Sequence, residues 1–135
     1  MPIMQMKHDE DPGQMLLRKL GRNIRDLRVV NNNVLAAIYE RPEFTKGGVA
    51  LTKTYRDEEQ WQGKTVLLIG MGGVAFKEDE RWFTEGVVYE VGDWVVMRPS
   101  AGMPLTIAGE HGDIKCRLFK DTAVDMKVPS PDLVW

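Results

Sequence analysis

From Asn31 onward, no apolar run lasts more than a few residues before glycine, proline or a cluster of acids interrupts it. Short runs rich in β-branched and apolar residues, bounded by such breakers, fit strands and call for no later helix. Strands are expected at Val34 to Tyr39, Gly48 to Lys53, Lys64 to Ile69, Asp93 to Arg98, Leu105 to Ala108, Ile114 to Phe119 and Ala123 to Val128. Gly109-Glu110-His111-Gly112-Asp113 supplies a hairpin turn between two of them. With 135 residues, 43% hydrophobic and 28% charged, one barrel or sandwich with short extensions accounts for the whole chain.

Residues 1–30 follow a different rule. Met1 to Pro12 is polar and is expected to be poorly ordered in isolation; Asp11-Pro12 then reads as a helix start, with Asp11 as N-cap and Pro12 at the first helical position. Leu16, Leu17, Leu20, Ile24 and Leu27 recur at spacings of three and four, which predicts a short amphipathic helix to about Leu27. Gly21 weakens that helix by about 1 kcal/mol relative to Ala. Its remaining surface is basic through Arg18, Lys19, Arg22, Arg25 and Arg28, which serves either a docking contact with an anionic partner or, more commonly, solubility. At the other end, Pro129-Ser130-Pro131 cannot continue a strand ladder, so residues 129–135 are expected to leave as an extended tail. The organisation is thus an arm and helix over 1–30, a β domain over 31–128 and a tail over 129–135.

Composition and motifs exclude several function classes. A net charge of -2 and a pI near 5.7 give no basic field for nucleic acid. The longest apolar run is far short of a bilayer span, and charges stand where a signal peptide would be apolar, so no membrane partner and a cytoplasmic location are expected. Cys116 has no second cysteine to pair with, and with only His8 and His111 beside it no metal set is expected; it reads as a buried strand residue. The acidic runs Asp57-Glu58-Glu59 and Glu78-Asp79-Glu80 are consecutive charges that point in different directions, unlike paired catalytic acids. Ser100 and Ser130 lie in no nucleophile motif and His111 sits in a turn, so no catalytic residue is assigned and no enzyme is expected.

One motif imitates a cofactor site. Val66-Leu67-Leu68-Ile69 runs into Gly70-Met71-Gly72-Gly73-Val74-Ala75, which fits the strand followed by G-x-G-x-x-A of dinucleotide binding. The residues after it, Phe76 to Trp82, are too few for the crossover helix of a parallel unit. No cofactor is therefore expected, and the glycines are read as the turn opening a hairpin from Gly70 to Tyr89 with Lys77 to Arg81 at its tip.

Gly47-Gly48-Val49-Ala50-Leu51-Thr52 places a glycine pair before an apolar triplet in the charged stretch from Tyr39 to Gly63. Two glycines resist ordering, and an apolar triplet on a solvated tether fits an extended peptide that lies in a partner's groove; the alternative is a strand starting after a glycine turn.

Taken in order, the β region from about Asn33 to Val128 resembles the GroES co-chaperonin family. Val34 to Tyr39, the Gly47 to Thr52 loop and Thr65 to Gly70 are similar to that family's opening strand, its mobile loop with Gly-Gly and a hydrophobic tripeptide, and its returning strand. Val91-Gly92-Asp93-Trp94-Val95-Val96 is similar to its Val-Gly-Asp turn into an apolar strand, and Ile114 to Val128 to its closing strands. The resemblance implies a small β-barrel with a roof hairpin at Gly70 to Tyr89, assembled into a seven-fold homo-oligomeric ring that caps a GroEL-type chaperonin. Gly47 and Gly48 would be the loop hinge and Val49, Ala50 and Leu51 the docking triplet. The end strands, with the apolar faces around Trp94 and Val124 to Val128, would pair with neighbouring subunits. Ala50 departs from the pattern by offering less apolar contact, and the extensions at both ends resemble phage-encoded members, whose client is the phage's coat protein. The resemblance also admits a virion component, a decorating or connector protein in which helix and tail clamp neighbours.

Overall fold

The apolar runs of the β region form strands in a computed structural model that describes residues 10–40, 50, 52, 63–78 and 80–134, apart from the side chains at 81 and 83. The strands are β1 (Asn33–Ile38), β2 (Thr65–Met71), β3 (Trp94–Met97), β4 (Met103–Gly109), β5 (Gly112–Lys120) and β6 (Val124–Val128). They make one antiparallel sheet in the order β4-β5-β1-β2-β3-β6, with β4 and β6 as its two edges and no pairing between them to close it. The strand expected at Gly48 to Lys53 lies outside the described residues except at Ala50 and Thr52. Among the described residues no helix is long and apolar enough to cross a membrane.

Both faces of the central strands are buried. On one face Leu35, Ala37, Leu67, Ile69, Trp94 and Cys116 pack with Leu16 and Leu20 of the N-terminal helix; on the other Val34, Ala36, Ile38, Val66, Leu68 and Val95 pack with Ala75 and Phe76. Covering on both sides is why Val66 to Ile69 shows no polar alternation: an outward-facing position never occurs there. The edge strand β4 does alternate, with Leu105 and Ile107 half-buried between exposed Pro104, Thr106 and Ala108.

Helix α1 (Pro12–Leu20) begins as its sequence predicts, the Asp11 carboxylate accepting from the Gln14 amide at 3.0 Å, but it stops at Gly21 and not at Leu27. Gly21 takes a φ of 57°, and the chain continues as a 3-10 turn over Gly21–Asp26. The reason is tertiary. The backbone amides of Glu110 and His111, at the tip of the β4–β5 hairpin, donate to the carbonyls of Leu20 (3.1 Å) and Lys19 (2.8 Å). The Glu110 carboxylate then accepts from the Arg22 amide at 2.7 Å. The hairpin thus satisfies groups that a further helical turn would otherwise have used. Leu16 and Leu20 are buried, while Arg18 and Arg22 are exposed, so the helix is seated on this chain's own sheet.

Two further expectations are corrected. Residues 70–89 form no strand hairpin: β2 ends at Met71, consecutive turns follow, and a short helix α2 (Glu80–Thr84) leads into irregular chain before β3. Phe76, Trp82 and Tyr89 all return to the second face of the sheet, which a compact excursion allows and a projecting ribbon does not. The C-terminal residues do not leave as an arm either. Pro131 is buried and opens a 3-10 turn (Pro131–Leu133), and the Tyr39 hydroxyl donates to Asp132 Oδ1 at 2.9 Å. Val134 packs against the helix-side core. Proline ends the β6 ladder as its missing N–H requires, but its fixed φ also suits the first position of the turn that folds the chain back.

Candidate functional site

Strands β1 and β2 are direct antiparallel neighbours, yet residues 39–64 separate them. A two- to five-residue turn is enough for such a pair, and connections beyond about 12–15 residues in compact domains are mostly functional loops or linkers. The base of this connection is fixed: the Tyr39 amide donates to the Thr65 carbonyl at 3.1 Å and Lys19 Nζ meets Glu40 Oε2 at 3.1 Å. Tyr39 itself is held edge-on against Trp94, with ring centroids 5.6 Å apart. Of the residues assigned to docking, Gly47, Gly48, Val49 and Leu51 lie outside the described residues. Ala50 is exposed in an isolated β-bridge, and Thr52 is exposed.

The G-x-G-x-x-A segment is a packed turn. A Cβ on Gly72 would stand 2.1 Å from the Asn31 carbonyl oxygen, so the glycine serves close backbone approach to this chain itself. The amides a pyrophosphate would need are already engaged: Gly72 donates to Asn33 O at 2.9 Å, Val74 to Asn31 O at 3.3 Å and Ala75 to Gly72 O at 3.1 Å. The Phe76 amide donates to Asp121 Oδ2 at 2.9 Å, and β3 returns antiparallel to β2.

That last bond organises a cluster which the sequence reading missed. Asp121 is 2% exposed and also accepts from Asn32 Nδ2 at 3.2 Å. It holds Phe76 in a left-handed backbone conformation (φ 61°), which is uncommon for a bulky residue. Phe76 stacks on Tyr89 at 4.3 Å between centroids, and Trp82 meets it edge-on at 5.1 Å. The rings border a pocket of about 300 Å³ with Met71, Ala75 and Val87. Burial and then the charge of Glu85 push the Tyr89 hydroxyl above its ordinary value, against the opposing pull of Lys127. The aromatic residues, spaced by six and seven, carry no period, and Asp121 stands between Lys120 and Thr122 like a surface charge, so no sequence signal pointed to this cluster.

A second pocket of about 570 Å³ lies between the 99–102 loop and β4, with Arg117 in its wall. Arg117 is 3% exposed, donates to the Pro99 carbonyl, and is drawn below its ordinary pKa by burial. Among the described residues, no group of three or more His, Cys, Asp and Glu side chains comes together as metal ligands would. The chain matches no model of a known protein family and no curated protein.

Proposed function

We propose that the protein is a co-chaperonin of the GroES type: a homo-oligomeric ring, seven-fold as in the family it resembles, built from barrel-like β subunits that cap a GroEL-type chaperonin. The client in a phage setting is the phage's own coat protein. The observation that carries this reading is the long connection over 39–64, pinned at its base between adjacent strands and holding a Gly-Gly step before Val49-Ala50-Leu51. An apolar triplet offered by one subunit is a small contact, and several on one ring give tight but reversible capping through effective concentration. The reading as a virion component relied on helix and tail as clamps on neighbours. Leu16, Leu20, Pro131 and Val134 instead lie on this chain's own core, so capping is preferred.

Replacing Leu51 with Asp tests it. On the capping reading, a charge in the partner's groove costs several kcal/mol of desolvation at each loop and leaves the β domain as it was. Co-sedimentation with a GroEL-type chaperonin and nucleotide is expected for the natural protein and lost for the variant, with an unchanged melting curve. A variant that melts far lower would make Leu51 a core strand residue and defeat the proposal.

A further inference from the structure

We infer that the open edge of β6 pairs with β6 of a second copy of this chain, antiparallel and about a two-fold axis through Met126. Apart from their bonds to β3, the backbone groups of Asp125 to Val128 make no backbone hydrogen bond among the described residues. A row of free N–H and C=O groups is a template for another strand. The opposite edge is partly closed, because Asn23 Nδ2 donates to the Ala108 carbonyl of β4 at 2.6 Å.

The side chains identify the partner. β6 reads Val124-Asp125-Met126-Lys127-Val128, and antiparallel pairing of this segment with itself about Met126 sets Asp125 opposite Lys127, Lys127 opposite Asp125, and Val124 opposite Val128. Opposite charges facing across strands stabilise a pair and like charges oppose it, so the pentapeptide is complementary to itself. Asp125 is the extra residue of a bulge, since Val96 pairs with Met126 and Met97 with Val124. Its carboxylate is 55% exposed, with Arg98 Nε no closer than 4.0 Å. Lys127 Nζ uses two of its three donors, to Asp93 at 3.1 Å and the Val88 carbonyl at 2.8 Å, which orients the ammonium and leaves one for a partner. Met126 is 46% exposed and would meet its own copy on the axis. The resemblance gives this strand to a ring neighbour, but a two-fold contact cannot close a ring, so on this inference any ring closes through another surface. It does not rest on the capping reading.

Charge exchange in the full-length chain tests the pairing by sedimentation equilibrium. Asp125→Lys and Lys127→Asp each place like charges across both arms of the axis, and each is expected to weaken association at least tenfold. The double exchange, Asp125→Lys with Lys127→Asp, is expected to restore it. Because Lys127→Asp also removes contacts within the subunit, Met126→Cys is the second measurement: mild oxidation is expected to give a covalent dimer through residue 126, with the buried Cys116 unmodified. A natural protein without this association, a folded double exchange that stays dissociated, or a Met126→Cys protein that does not cross-link would overturn the inference.

Discussion

Burial pushes the Cys116 thiol up from 9.0 to about 12, the largest displacement of an ionisable group among the described residues. In the unfolded chain the same thiol ionises near its ordinary value. Below that value both states are protonated and the linkage is silent. Above it the unfolded chain releases a proton that the folded chain keeps, so stability falls by up to roughly 1.4 kcal/mol per pH unit until the folded thiol also ionises. The difference between the natural protein and Cys116→Ala isolates the thiol's contribution from that of every other group. Urea midpoints are expected to fall more steeply between pH 9 and pH 11 for the natural protein; equal slopes would show that the thiol is not held in an apolar site. Cys116 was legible in the sequence as a buried strand position because Ile114, Cys116 and Leu118 alternate with charged neighbours. Arg117 and Asp121 were not. Their burial depends on which strands and turns close over them, the 99–102 loop for one and Asn32 with the Phe76 amide for the other, and neither contact is local in sequence.

At the scale of elements, the join of α1 to its 3-10 turn is where local propensity and tertiary contact disagree. Helix propensity alone forecasts that Gly21→Ala stabilises by about 1 kcal/mol. The structure forecasts the reverse. Gly21 has a positive φ of 57°, and a Cβ there would approach Glu110 Oε2 to 2.5 Å and Glu110 Cβ to 2.7 Å. The alanine protein is therefore expected to be less stable by about 1–2 kcal/mol, from backbone strain and disturbance of the Glu110 clasp. Thermal melting decides the sign, and a raised melting temperature would mean that the helix continues as its period suggests. The period was genuine from Leu16 to Ile24, which still packs on the helix-side core because a 3-10 turn keeps a spacing close enough to hold an apolar stripe, but Leu27 at its end is exposed. Strand positions within the described residues came through well because breakers mark their ends, while the strand expected at Gly48 to Lys53 lies outside them apart from Ala50 and Thr52. The excursion over 72–90 did not, because Gly72, which looked like part of a hairpin opening, is set by the close passage of Val30 and Asn31.

For the whole molecule, the two sides of the sheet divide the labour. One is sealed by α1 and the C-terminal turn, the other by the aromatic cluster, and the long connection over 39–64 emerges between the two central strands. That connection is attached to the two central strands, β1 and β2, which are buried on both faces and each have a strand on either side. A docking peptide held there would, under the capping proposal, transmit binding to the subunit without requiring the β core to change. Under the capping proposal, Ala50 is the weak member of the triplet, since its methyl group buries less apolar surface than a larger aliphatic. Ala50→Val adds contact worth about 1 kcal/mol or more per loop. Ala50 is exposed and already in a β-bridge, so a β-branched side chain suits its backbone and the melting curve is expected to stay where it is. On a ring the loops act together, and a small gain repeated at each one multiplies in the overall affinity. The protein concentration needed to cap half of a GroEL-type chaperonin is therefore expected to fall at least tenfold in Ala50→Val. Unchanged capping would mean that residue 50 does not enter the groove, and weaker capping would mean that the groove at that position fits no more than a methyl group.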